Sequence, residues 1–125
     1  MRILYVDDEA DIREIVSMSL SLDPDITVET VSSGAEALAA VRNRLPDVIL
    51  LDVMMPEMDG PTTLFRLRER PESRGVPVVF ITARTQGREI QRFKELGALG
   101  VIAKPFDPIA LASDLKALLA GASAG

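Results

Sequence analysis

The chain has 125 residues, 47% hydrophobic and 26% charged, with 14 Lys and Arg against 19 Asp and Glu for a formal net charge of −5. That size and balance fit one domain with one core, exclude a globally disordered chain, and argue against a domain that grips nucleic acid by itself. With no Cys and no His, disulfides, Cys/His zinc sites, Cys nucleophiles, Ser-His-Asp triads and imidazole acid–base chemistry are excluded, which leaves carboxylates, Lys, Arg, hydroxyls or a bound oxygen-loving metal.

In chain order, the first apolar run is Ile3-Leu4-Tyr5-Val6, which stops at Asp7-Asp8. Met1-Arg2-Ile3 leads straight into it with no signal peptide, so a cytoplasmic protein is expected; no run approaches the ~18 apolar residues of a membrane span. Residues 9–22 carry Ile12, Val16 and Leu20 at helical spacing. Residues 26–31 alternate and are β-branched, the pattern of a second strand. Ser33-Gly34-Ala35-Glu36 has the form of a capping box, opening a helix with Leu38, Val41 and Leu45 on one face. Val48-Ile49-Leu50-Leu51, ending at Asp52, is the third strand. Asp59-Gly60 reads as a turn, and residues 61–70 as a helix packed through Leu64 and Leu67. Arg66, Arg68, Arg70 and Arg74 are interleaved with Glu69 and read as a solvated helix face. Val78-Val79-Phe80-Ile81, ending at Thr82, is the fourth strand; residues 88–96 carry Ile90 and Phe93, with Gly97 as the C-cap. Val101-Ile102-Ala103 is the fifth, ending at Lys104-Pro105. Asp107-Pro108 supplies an N-cap and a first-turn Pro to a last helix with Leu111, Leu115, Leu118 and Leu119. The expected organisation is one domain over residues 1–120 and a flexible tail over residues 121–125.

Strict alternation of strand and helix implies a parallel sheet with right-handed crossovers. Runs one, three and four are apolar on both faces, as in strands covered by helices on both sides. Five strands, and no Gly-rich turn after the first, favour an α/β, doubly wound, flavodoxin-like sheet of order 2-1-3-4-5 with five helices, over the dinucleotide-binding order. Ligands of such sheets bind beyond the carboxyl ends of the strands, near the switch between strands one and three.

Those ends carry Asp7 and Asp8, Asp52, Thr82 and Lys104. Three carboxylates packed together repel, and a divalent cation resolves the conflict. An oxygen-only ligand set with few protein donors suits Mg²⁺, and a cation together with Lys104 would clamp a transferring phosphoryl group. Each residue alone also has a plainer use. Asp7 and Asp8 can cap the first helix, Asp52 can serve a turn, Thr82 can be an ordinary strand-end hydroxyl and Lys104 can point into water. Their convergence on one rim favours the chemical reading.

The acidic pair of Val6-Asp7-Asp8-Glu9, the run Leu50-Leu51-Asp52-Val53-Met54-Met55-Pro56-Glu57-Met58-Asp59-Gly60, Phe80-Ile81-Thr82-Ala83 and Ala103-Lys104-Pro105-Phe106 together resemble the receiver domains of response regulators in two-component signalling, the chemotaxis regulator among them. The resemblance covers residues 1–120. It implies a phosphorylation-dependent switch, with Asp52 as phosphoacceptor and a histidine kinase or histidine phosphotransfer protein as donor. It implies Mg²⁺ bound by Asp8, Asp52 and the backbone carbonyl of Met54, with Asp7 holding metal-bound water. Lys104 would pair with one phosphoryl oxygen and Thr82 hydrogen-bond another, and the Lys104–Pro105 bond would be cis. Phosphorylation would change the surface around the fourth helix, fifth strand and fifth helix for an unspecified downstream protein, with neither nucleic acid nor membrane as a direct partner. Such a domain assists only its own phosphorylation and dephosphorylation and is otherwise no enzyme. One position departs from the family: three residues before Lys104, where an aromatic switch residue is usual, stands Val101. That touches the output mode and leaves the phosphorylation chemistry alone.

On a wheel of the first helix, Ile15, Met18 and Leu22 form a second apolar strip beside the Ile12-Val16-Leu20 stripe, with Arg13, Glu14 and Ser17 opposite. The plainer reading makes Ile15 core and the other two scattered surface residues. The resemblance favours a surface on which the kinase docks. Two other functions compete: a receiver fragment of a longer regulator whose output domain is lost, and an Asp-nucleophile phosphohydrolase of small molecules. The latter class uses an acid/base Asp two residues after the nucleophile, where this chain has Met54.

Overall fold

The computed structural model describes residues 1–83 and 85–124, the last three by their backbone alone. Strands β1 (Arg2–Val6), β2 (Thr27–Val31), β3 (Val48–Asp52), β4 (Val78–Thr82) and β5 (Gly100–Ala103) alternate with helices α1 (Ala10–Ser21), α2 (Gly34–Asn43), α3 (Gly60–Glu69), α4 (Gly87–Glu95) and α5 (Leu111–Ala124). The strands are parallel, in the order β2-β1-β3-β4-β5. This is the expected doubly wound, flavodoxin-like sheet. Every residue of β3 and β4 is buried, which is why those runs are apolar throughout, whereas no residue of the edge strand β2 is fully buried and it carries Thr27, Glu29 and Thr30.

The sheet divides the core in two. On one face Leu4, Val6, Ile49, Leu51 and Phe80 meet Leu38 and Val41 of α2, Leu64 and Leu67 of α3, and Phe93 of α4. On the other, Ile3, Tyr5, Leu50 and Ile81 meet Val16 and Leu20 of α1 and Leu111 and Leu115 of α5. Phe80 and Phe93 pack edge-to-face at 5.0 Å between ring centroids. Among the described residues no helix is long and apolar enough to cross a membrane.

Several local expectations need correction. Leu45 lies past α2 and is 48% exposed, because the following Pro46 disfavours helical backbone at Leu45. At the start of α2, Ser33 Oγ accepts from the Glu36 N–H at 3.1 Å, but the Glu36 carboxylate accepts from the N–H and hydroxyl of Ser32, one residue before the cap. Asp59 is a helix cap rather than only a turn residue: its Oδ1 accepts from the Thr62 N–H at 2.9 Å, with Pro61 in the first turn of α3. Arg68 is no solvated residue; it donates to the carbonyls of Ser73, Val76 and Gly97, tying the end of α3 to the loops beside it. Asp107 does not cap α5. It holds a turn, accepting from the N–H groups of Ile109 and Ala110 at 2.9 and 3.1 Å, and the helix starts at Leu111.

α5 then runs to Ala124, through most of the stretch expected to be a flexible tail. Alanine is the best helix former, and Gly121 costs only about 1 kcal/mol. Gly125, the last residue of that expected tail, lies outside the described residues.

Candidate functional site

Strand alternation brings the reactive groups to one side of the sheet. Ile3 and Tyr5 of β1, Leu50 of β3 and Ile102 of β5 all face α1 and α5. Two residues on from Tyr5, Leu50 and Ile102 stand Asp7, Asp52 and Lys104, on the same face at the carboxyl rim. Lys104 Nζ lies 3.3 Å from Asp52 Oδ2 and 3.5 Å from Asp7 Oδ2, bridging the two acids. Asp8 is exposed, yet one oxygen from each of Asp7, Asp8 and Asp52 lies within 4.8 Å of the others, and such a set of hard oxygen donors can hold a metal ion. The Lys104–Pro105 peptide bond is cis. Thr82 ends β4 beside Asp52, since Ile81 pairs with Asp52, and it is buried.

Asp7 is held from all sides. Its Oδ1 accepts from the Glu9 N–H at 2.9 Å and its Oδ2 from the Tyr5 hydroxyl at 2.8 Å. Its carbonyl accepts from Arg13 at 2.8 Å, and its N–H donates to Val31 at 3.2 Å. Asp7 does not cap α1: its Oδ1 holds the N–H of Glu9, the residue before the helix, while its Oδ2 faces the lysine. Arg13, placed on the far side of the helix by the wheel, reaches back to the rim.

Burial pushes the Asp52 carboxyl up to about 6, against the pull of Lys104; Asp7 raises it further, while the Met54 N–H, which donates to it, lowers it. Burial works against the Lys104 charge, but Asp52 and then Asp7 outweigh it and hold the ammonium above its ordinary range. The Tyr5 phenol is raised as well, first by burial and then by its bond to Asp7, so it stands as a donor.

Tyr5 and Arg13 were missed by sequence reasoning. For Tyr5 a signal was available: a polar group in an otherwise aliphatic strand, two residues before an acid and therefore on its face. For Arg13 there was none, because a wheel does not show how far a guanidinium reaches.

The strip on α1 is exposed: Ile15 by 44%, Met18 by 67% and Leu22, the residue just past the helix, by 80%. The plainer reading of Ile15 as core is not met. Beside the strip a cavity of about 410 Å³ opens between Ile12, Ile15, Ala83, Lys104, Pro105 and Phe106. Val101 is half-buried against the core formed with α2, α3 and α4.

The response regulator receiver domain model matches residues 3–116. The chain belongs to that family, the receiver of two-component response regulators. It is 45% identical over 107 residues to protein-glutamate methylesterase/protein-glutamine glutaminase 2 of Cereibacter sphaeroides, covering 83% of this chain and 28% of that protein. It is 38% identical over 119 residues to the response regulator Rre1 of Synechocystis sp., covering 94% and 51%. The chain thus spans between about a quarter and half the length of these curated relatives. Among solved structures, the chemotaxis response regulator CheY4 of Vibrio cholerae superposes with a TM-score of 0.86 at 36% identity, covering 94% of this chain and 97% of that one.

Proposed function

We propose that this chain is a phosphorylation-dependent switch that takes a phosphoryl group onto Asp52 from a histidine kinase or histidine phosphotransfer protein. The observation that carries this reading is the Lys104 ammonium bridging Asp7 and Asp52 inside a cluster of three carboxylates. An Asp52 oxygen attacks phosphorus in line, a P–O bond to Asp52 forms, and the bond to the donor breaks with its electron pair leaving on the donor. Asp8, Asp52 and the Met54 carbonyl would hold Mg²⁺, with Asp7 behind a bound water. Bound there, the cation supplies neutralisation of the charge on the transferring group. Lys104 pairs with one phosphoryl oxygen and the Thr82 hydroxyl moves to another, which biases the surface of α4, β5 and α5 toward a partner protein.

With Val101 in place of an aromatic, that output rests on Thr82 and the α4 backbone, and the change at β5 is small. The donor docks on Ile15, Met18 and Leu22, beside the apolar cavity that opens on the rim. A cytoplasmic location and a receiver domain of residues 1–120, past which α5 continues to Ala124, belong to this reading. The greater length of the curated relatives supports a second one, in which the same receiver serves a longer regulator and is read out by an attached domain.

Intact-mass measurement tests the acceptor. A small acyl phosphate with Mg²⁺ adds one phosphoryl group to the wild-type protein and none to Asp52→Asn. Unchanged labelling of that variant removes Asp52 from the role.

A further inference from the structure

Tyr5 is the chain's single tyrosine, and there is no Trp. Its strand is otherwise aliphatic from Ile3 to Val6, and its ring is fully buried between sheet and helices. A phenol oxygen in such a place is a burden unless it is bonded. Its partner is the Asp7 Oδ2, at 2.8 Å. Lys104 Nζ approaches the same oxygen, at 3.5 Å, while standing closer, at 3.3 Å, to Asp52. The remaining Asp7 oxygen takes the Glu9 N–H at 2.9 Å.

We propose that Tyr5 is a positioning residue of the site: its hydroxyl fixes the Asp7 carboxylate for the cation, supplying a neutral donor to the oxygen that Asp7 shares with Lys104. The proposal rests on the Mg²⁺ reading of the site given above. A buried carboxylate oxygen needs a donor. With the hydroxyl in place that need is met by a neutral group on the same strand, whose position the sheet fixes. Without it Lys104 remains, among the side chains described at that oxygen, as its donor, and the stronger charge-assisted bond draws the carboxylate toward the ammonium and out of the place it holds in the cluster with Asp8 and Asp52. Groups one bond behind a metal's ligands, as Asp7 is here, orient what stands in front of them, and their loss costs about 10- to 100-fold in metal affinity; Tyr5 stands one bond further back, which sets its effect at the lower end of that range.

Tyr5→Phe removes one oxygen and keeps the ring. Calorimetric titration with Mg²⁺ is expected to give a Kd about ten-fold weaker for Tyr5→Phe than for wild type, with the far-UV circular dichroism of the two proteins superimposable. Equal Kd values overturn the proposal. A wild-type protein that takes up no Mg²⁺ at millimolar concentration overturns the metal reading of the site instead. A second measurement needs no variant. As the only tyrosine, with no tryptophan beside it, Tyr5 reports its own hydrogen bond by its emission. Mg²⁺ is expected to change that emission in the wild-type protein, saturating with the calorimetric Kd. Emission that stays flat while Mg²⁺ binds means that the phenol does not sense the site, and it sinks the proposal even if Tyr5→Phe fails to fold.

Discussion

Asp7 and Asp52 are both buried acids at one rim, but they are provided for unequally. Asp7 has the Tyr5 hydroxyl and the Glu9 N–H on its two oxygens, besides Lys104. Asp52 has Lys104 and the Met54 N–H, and burial dominates, raising its carboxyl from an ordinary 3.8 to about 6. The consequence for stability has a definite sign. Between pH 4 and 6 the unfolded chain has already released this proton while the metal-free folded chain keeps it. The contribution of Asp52 to stability therefore falls as pH rises through that window and levels off above it. In a chelator, the Asp52→Asn protein is expected to gain on wild type by on the order of 2 kcal/mol between pH 4 and pH 7. Urea melts of both proteins at the two pH values check this, and a constant difference contradicts it.

The segment from β3 to α3 shows how an element is bent to serve the site. The Gly60 N–H donates to the Val53 carbonyl at 2.9 Å, folding the start of α3 back against the end of β3. A Cβ at Gly60 would stand 2.6 Å from the Asp52 carbonyl oxygen and 2.9 Å from the Val53 Cα, so only glycine fits there. Within the same turn Glu57 sits at φ 68°, a left-handed conformation that a side chain resists. Two substitutions should therefore move stability in opposite directions. Glu57→Gly relieves the backbone and is expected to add about 1 kcal/mol, raising the midpoint of thermal unfolding by about 4 °C. Gly60→Ala forces backbone against backbone and is expected to cost about 3 kcal/mol. Thermal melts of both variants decide it; a Glu57→Gly protein that melts earlier than wild type shows that the Glu57 side chain gives more than its backbone takes.

At the scale of the molecule, the sheet separates the rim that carries the acids and Lys104 from two differently covered faces. α1 and α5 cover the side on which Asp7, Asp52 and Lys104 emerge, and α1 leaves Ile15 and Met18 uncovered there, with Leu22 just past its end. A methionine is adaptable enough to meet a partner helix. If the phosphoryl donor docks on this strip, Met18→Glu should slow transfer from the cognate histidine-phosphorylated protein by about ten-fold or more. Phosphorylation by a small acyl phosphate should stay unchanged. Equal slowing with both donors would make Met18 a packing residue.

The sequence by itself determined the sheet and the rim. Strand runs such as Val48 to Leu51 and Val78 to Ile81 are apolar at every position because both faces are covered, and that requirement is written residue by residue. Asp7, Asp52, Thr82 and Lys104 were legible because each ends such a run, and parallel strands end on the same side. Helix ends were less legible. Leu45 fits the wheel of α2 yet falls outside it because Pro46 follows, which the periodicity of apolar residues overlooks, and Asp107 looks like a cap yet holds a turn, because a cap is settled by bonds to neighbours that periodicity does not contain. What only the tertiary structure decided is how the acids are shared out. Tyr5 and Arg13 reach Asp7 within a few residues of chain, but Lys104 arrives from 97 residues away. Which oxygen each donor takes depends on distances of a few tenths of an ångström, fixed by the packing of strands and helices around the rim.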